Sequence, residues 1–188
     1  MDFDVDAWRE ELKNYREQKD ERFGEPHSSP LGPDGRREFD GLDYFEPDPD
    51  YRVEATVELD DSDETVAMET NTEGEQLYER SARLHFEIPD QHGETAEHTL
   101  VGYRRVDQSD GSLFVPFRDK TTGQQTYSGG RYMELHYQGE LEDGTAFTLD
   151  FNLAYSPFCA FNNVYECPLP PGENWLDVAI PAGERYEE

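Results

Sequence analysis

A single helical period gives way to a long stretch of two-residue alternation, and no second helix of comparable quality separates the alternating segments. From Asp4 to about Glu21, Val5, Trp8, Leu12 and Tyr15 recur at helical spacing, with Asp4 or Asp6 available as N-cap. Phe23, Gly24 and Pro26 end this amphipathic helix, and Ser29 to Pro33 read as an irregular connection. The segments that follow are Tyr51 to Leu59, Glu64 to Thr70, Arg83 to Ile88, Glu97 to Arg105, Ser112 to Phe117, Arg131 to Tyr137, Ala146 to Asn152 and Leu176 to Ile180. Between them Asp60-Asp61, Gln91-His92-Gly93, Asp110-Gly111 and Glu142-Asp143-Gly144 read as hairpin turns. Parallel strands need crossover helices, which this pattern lacks. The expected fold is therefore mainly β: an antiparallel β-barrel or β-sandwich of about eight strands with one N-terminal α-helix. Residues 1–25 are expected to pack as that helix on a single antiparallel β domain over residues 26–188, and no internal repeat is visible.

Composition sets the solvent in which such a fold must survive. Forty-four acidic residues face 16 basic ones, only three of them lysine, for a formal charge of −28. The acids run from Asp2 to Glu188 rather than forming a tail. Leu, Ile, Val and Phe make up only about 19% of the chain, a fraction that borders on disorder, but eleven Phe, eleven Tyr and two Trp supply buried area that disordered chains lack. Molar salt shortens the Debye length to about 3 Å and removes most of the self-repulsion. The composition resembles that of proteins of extreme halophiles and implies a salt-accumulating cytoplasm. The same charge repels nucleic acid and anionic membranes, so neither is an expected partner. Met1 to Trp8 show no secretory signal, and no run approaches the ~20 apolar residues that span a bilayer.

The second half is locally unusual. Leu113 to Gly123, Thr126 to Tyr132, Asp150 to Tyr155, and Pro157 to Pro171 with Glu173-Asn174 form four separated motifs. Together with Ser29-Pro30-Leu31 and Leu42 to Phe45, they resemble a family known only as a domain of unknown function, DUF1684, most strongly from Leu113 to Gly183. The resemblance implies a shared fold and carries no activity, substrate or catalytic residue.

Read physically, Arg118 and Arg131 bracket one glycine-rich hairpin and could hold a carboxylate or phosphate bidentately, or else pair with Asp119 and Asp150 to hold the hairpin together. Gly129-Gly130 calls for positive φ or a close approach. Asp150 and Asn152 share one strand face, with Phe151 on the other. They either face a ligand or, as Asn152 and Asn162 commonly would, satisfy loop backbone. Cys159 and Cys167, with seven residues between them, fit neither a zinc ribbon nor C-x-x-C, and are open as free thiols, a disulfide, or a metal or nucleophilic site. None of the five histidines enters the family-like motifs, and neither a G-x-S-x-G elbow, a GxGxxG nor a P-loop occurs. No metal site is expected and no cofactor is indicated.

Three functions compete. The first is a binding domain for a small, anionic molecule using Arg118, Asp119, Tyr127, Arg131, Asp150, Asn152 and Tyr155, with Asn162 and Asn174 on the rim loop. The second is a hydrolase or isomerase with Asp150 as general base and Arg118 or Arg131 as clamp. The third is a structural or interaction protein, for which a homodimer is open.

Overall fold

The computed structural model describes residues 2–107 and 111–187. Helix α1 (Val5–Gly24) starts at Asp4, whose carboxylate accepts from the backbone N–H groups of Asp6 and Ala7. Its inward face carries Trp8, Leu12, Lys19 and Phe23, so Phe23 lies inside the helix as a buried anchor rather than ending it. A short helix, α2 (Pro33–Glu38), occupies part of the expected irregular connection, with Pro33 opening it where a missing N–H costs nothing. None of its residues is buried, which leaves no apolar stripe for sequence reading to detect.

Seven antiparallel strands form one sheet: β1 (Arg52–Leu59), β2 (Thr65–Glu69), β3 (Glu75–Pro89), β4 (Thr95–Arg105), β5 (Ser112–Phe117), β6 (Arg131–His136) and β7 (Ala146–Asp150). The path is β6-β5-β4-β3-β1-β7, with β2 also on β3. A flat sheet in this order would hold β6 and β7 about 24 Å apart, five spacings of about 4.8 Å. Yet the rings of Tyr137, just past β6, and Phe147 in β7 have centroids 6.4 Å apart. The sheet is therefore curled into a half-barrel, open along a seam where no β6–β7 ladder forms among the described residues.

This architecture corrects several expectations. Among the described residues there are seven strands in one sheet, and no ladder closes a ring. Leu176 to Ile180 alternates as a strand should, and Val178 and Ile180 are buried, but it joins no ladder beyond a single bridge from Trp175 to Arg118. Asp60-Asp61 is not a hairpin turn: β1 and β2 follow one another along the 15-residue β3, pairing with Ala82 to Phe86 and with Glu75 to Glu79. Glu142-Asp143-Gly144 lies in the connection between the two edge strands. Gln91-His92-Gly93 is the expected hairpin turn, closed by Asp90 N–H to Glu94 O at 2.8 Å. Of Asp110-Gly111, Asp110 lies outside the described residues.

The concave side holds the main core, with Ala55, Val57, Leu84, Phe86, Ile88, Leu100, Leu113, Val115, Phe117, Met133 and Leu149 at alternate strand positions. Val178, Ile180 and Ala182 from the C-terminal segment complete it. That segment then bridges to Tyr44 through Glu184.

Candidate functional site

Helix α1 covers the open seam where a strand could have closed it. Between helix and sheet edges lies a cleft of about 570 Å³. Trp8, Leu12 and Tyr15 line it from the helix, Met133 and Leu135 from β6, Phe147 and Asp150 from β7, and Arg52 and Tyr155 close its sides. Asp150 is its anchored charge. One carboxylate oxygen accepts from Trp8 Nε1 at 2.8 Å, and the other accepts from the Asn152 backbone N–H and Nδ2 at 3.0 and 2.9 Å. Arg52 Nε stands 3.8 Å away. Glu11 and Glu134 add two further carboxylates to the walls. The Tyr155 hydroxyl donates to Glu134 at 3.4 Å, and its pKa is raised, mainly by burial.

The strand ends at Asp150, so the side chain entering the barrel is Phe151, fully buried, and not Asp150 or Asn152. Asn152 sits in a 3₁₀ turn, where its amide exchanges two hydrogen bonds with the backbone of Asp48, at 2.9 and 2.8 Å.

The two arginines of the hairpin separate. Arg131 pairs with Phe117 across the β5–β6 ladder and lies inside the half-barrel, 1% exposed. Its guanidinium donates to the carbonyls of Ala182 and Ile180 and stands 3.5 Å from Asp119 Oδ2. Burial lowers its pKa, opposed by Asp119 and then Glu184. Asp119 also accepts from the Ile180 N–H at 2.6 Å and from the hydroxyl of Thr121 at 2.7 Å. Arg118, by contrast, lies 4.8 Å from the centre of the exposed Trp175 ring. The second glycine of the hairpin, Gly130 (φ +87°), fits a close approach within the chain: an added Cβ would stand 2.7 Å from Pro170 and 2.8 Å from the Phe117 carbonyl.

Asn174 and Asn162 hold backbone too. Pro116 cannot donate to a ladder, and β4 and β5 share only the Tyr103 and Phe114 pairing. Asn174 enters this gap as a substitute peptide group. It accepts from Val101 N–H at 2.8 Å and donates to the carbonyls of Val101 and Pro116 at 2.9 and 2.8 Å. Asn162 donates to Pro30 O at 2.9 Å. Tyr127 lies against Tyr186 and places its hydroxyl 3.7 Å from Cys159 Sγ. Cys159 and Cys167 are free buried thiols. Of the nine residues singled out in the sequence, Asp150 and Tyr155 line the cleft beneath α1, while Asp119, Arg131, Asn152 and Asn174 are enclosed. Among the described residues no cluster of His, Cys, Asp and Glu could hold a metal ion.

The family model described as a protein of unknown function, DUF1684, matches residues 37–185. The chain belongs to the DUF1684 family. A solution NMR structure of an uncharacterised protein from Haloarcula marismortui is similar to this DUF1684 protein at 50% identity and a TM-score of 0.73, covering 99% of this chain and 98% of that one. No curated protein matches. The family match starts after α1, so the sheet side of the cleft lies within it and Trp8, Leu12 and Tyr15 lie outside. The Haloarcula protein extends over both.

Sequence reading of this DUF1684 chain missed two groups. Trp8 served only as an apolar anchor, but its indole N–H fixes Asp150. Lys19 and Glu184 form a buried ion pair, with Lys19 Nζ 4.9 Å from the Tyr155 ring centre. Burial raises the Glu184 pKa, and Lys19 opposes the shift. A signal existed, since Lys19 continues the stripe of Trp8 and Leu12 at helical spacing in a chain with three lysines. None of the described helices is long and apolar enough to cross a membrane.

Proposed function

We propose that the protein binds a small amphipathic molecule in the cleft between α1 and the open seam, working in a salt-rich cytoplasm. The observation carrying this reading is the seam itself. Two sheet edges come close without pairing, and the helix over them leaves a lined cleft with one fixed carboxylate at its base. The walls supply an apolar, ring-sized floor. Their acidic groups are Glu11, Glu134 and Asp150, against Arg52 and the titratable His136, so the favoured ligand has a cationic or hydrogen-bond-donating head rather than the anionic group expected from the hairpin arginines. The setting is supported by the charge of −28 and the similarity to the protein from Haloarcula marismortui.

A hydrolase or isomerase has less support. Both oxygens of Asp150 already accept hydrogen bonds, and neither Arg118 nor Arg131 is among the residues lining the cleft.

Trp8 provides the test, because only two indole N–H groups exist and Trp175→Phe assigns them. Benzylammonium and benzoate share a ring and differ in charge. In ¹⁵N-resolved NMR at molar salt, benzylammonium is expected to shift the Trp8 indole resonance saturably and benzoate to shift it less. A stronger response to benzoate overturns the charge assignment. Silence to both overturns the binding reading in favour of a structural role.

A further inference from the structure

We propose that the head group held in the cleft is a quaternary, N-methylated ammonium, recognised by aromatic rings around a carboxylate whose acceptor sites are nearly filled. This rests on the reading of the cleft as a binding site and narrows its cationic ligand to one class. Asp150 decides the class. A carboxylate has about four acceptor sites. One oxygen of Asp150 takes two hydrogen bonds from Asn152, at 3.0 and 2.9 Å. The other takes one from Trp8 at 2.8 Å and has Arg52 Nε 3.8 Å away. The carboxylate side chain is 10% exposed. Its charge acts on the cleft, but it has little left with which to accept.

A primary ammonium brings three N–H donors that must find acceptors on leaving water, and each one left unpaired costs free energy. A quaternary ammonium has none to place. Its charge is spread over methyl groups, which pack on apolar surface and on the negative faces of rings. The cleft is lined by four such rings: Trp8 and Tyr15 from α1, Phe147 from β7, and Tyr155 at a side, with Leu12 and Met133 adding apolar wall. Trp8 and Tyr15 stand two turns apart on the helix, about 10 Å along its axis, and so bracket a length of the cleft.

Salt sharpens the choice. The other two carboxylates, Glu11 and Glu134, are exposed, and a Debye length of about 3 Å in molar salt leaves little attraction beyond contact. Metal cations of the medium compete there with any head that relies on bare charge. Rings and methyl groups act at contact range, where screening is weakest. Of the basic groups on the walls, Arg52 is engaged by Asp150 and by the Phe3 ring, whose centre lies 4.4 Å from the guanidinium carbon, and His136 is exposed.

The test reads the Trp8 indole resonance in molar salt and compares benzylammonium with benzyltrimethylammonium, which share a ring and a charge. The trimethylated compound is expected to saturate the shift at a concentration at least about threefold lower, the order of a partly desolvated cation–π contact. Equal or weaker binding of it, beside a saturable response to benzylammonium, overturns the proposal and leaves the cleft reading standing. Silence to both overturns the two together. Choline and its neutral isostere 3,3-dimethylbutan-1-ol separate charge from shape. Choline should bind the tighter, and an equal response to the alcohol overturns recognition of the cation. Tyr15→Leu removes an exposed ring and no charge, so it should narrow the preference for benzyltrimethylammonium. A preference that survives it unchanged overturns the role of the rings.

Discussion

Two arginine–carboxylate pairs of nearly equal length do different work. Arg131 and Asp119 stand 3.5 Å apart with side chains 1% and 0% exposed, whereas Arg52 and Asp150 stand 3.8 Å apart at 32% and 10%. The first pair is surrounded by carbonyls and hydroxyls of its own chain, which meet both terminal nitrogens of the guanidinium, leave its Nε without a partner, and tie the C-terminal segment into the half-barrel. The second lines the open cleft, and its arginine is about a third exposed. Ion-pair length is therefore a poor guide to role. What decides is whether the groups around the pair come from the chain itself or the pair stands open at a cleft.

The contrast breaks first at Arg131. Arg131→Met leaves Asp119 buried beside unpaired carbonyls and is expected to destabilise the fold by about 3–5 kcal/mol, read as a drop in the denaturant midpoint in molar salt. A loss under about 1 kcal/mol would mean that the enclosed pair is no more structural than the open one.

Lys19→Met comes next, at about 3 kcal/mol, because it strands the enclosed Glu184 carboxylate. Adding Glu184→Gln should recover much of the loss. Since burial raises the folded pKa of Glu184, its protonated form is favoured by folding. That contribution is complete below the unfolded pKa and fades as pH rises through the folded one. The deficit of Lys19→Met should thus narrow on going from about pH 8 to about pH 5. A deficit that widens on acidification would assign the pair a different charge state.

The smallest effect sharpens the other side. Arg52→Met should change stability by less than about 1 kcal/mol and yet strengthen the response of the Trp8 indole to benzylammonium, because it removes the cleft's one arginine. A large stability loss here would erase the distinction between the two nodes.

Strand placement was largely legible. Ser112 to Phe117 matches β5 end for end, and β1, β2, β4, β6 and β7 fall within two residues of their expected bounds, because alternation reports a surface buried on one face. The same signal misled at Leu176 to Ile180, where side chains are buried alternately but the backbone bonds to Arg118, Lys120 and Asp119 instead of a strand. The site was less legible than the fold. Arginine and asparagine in dense motifs read equally as ligand groups or as internal donors, and only the enclosure of Arg131, Asn152 and Asn174 separates the two.

By itself the sequence determined an antiparallel β protein with one capped N-terminal helix, a strongly acidic balance and a C-terminal half rich in backbone-bonding residues. These follow from local periodicity and composition, which each segment carries wherever it is placed. Tertiary structure alone decided the order of the strands, the open seam, the helix over it and the partners of Arg131, Lys19 and Asp150. Each of these depends on which distant surfaces meet as the sheet curls, and pairing energy between segments far apart in sequence is not encoded in the pattern of either one.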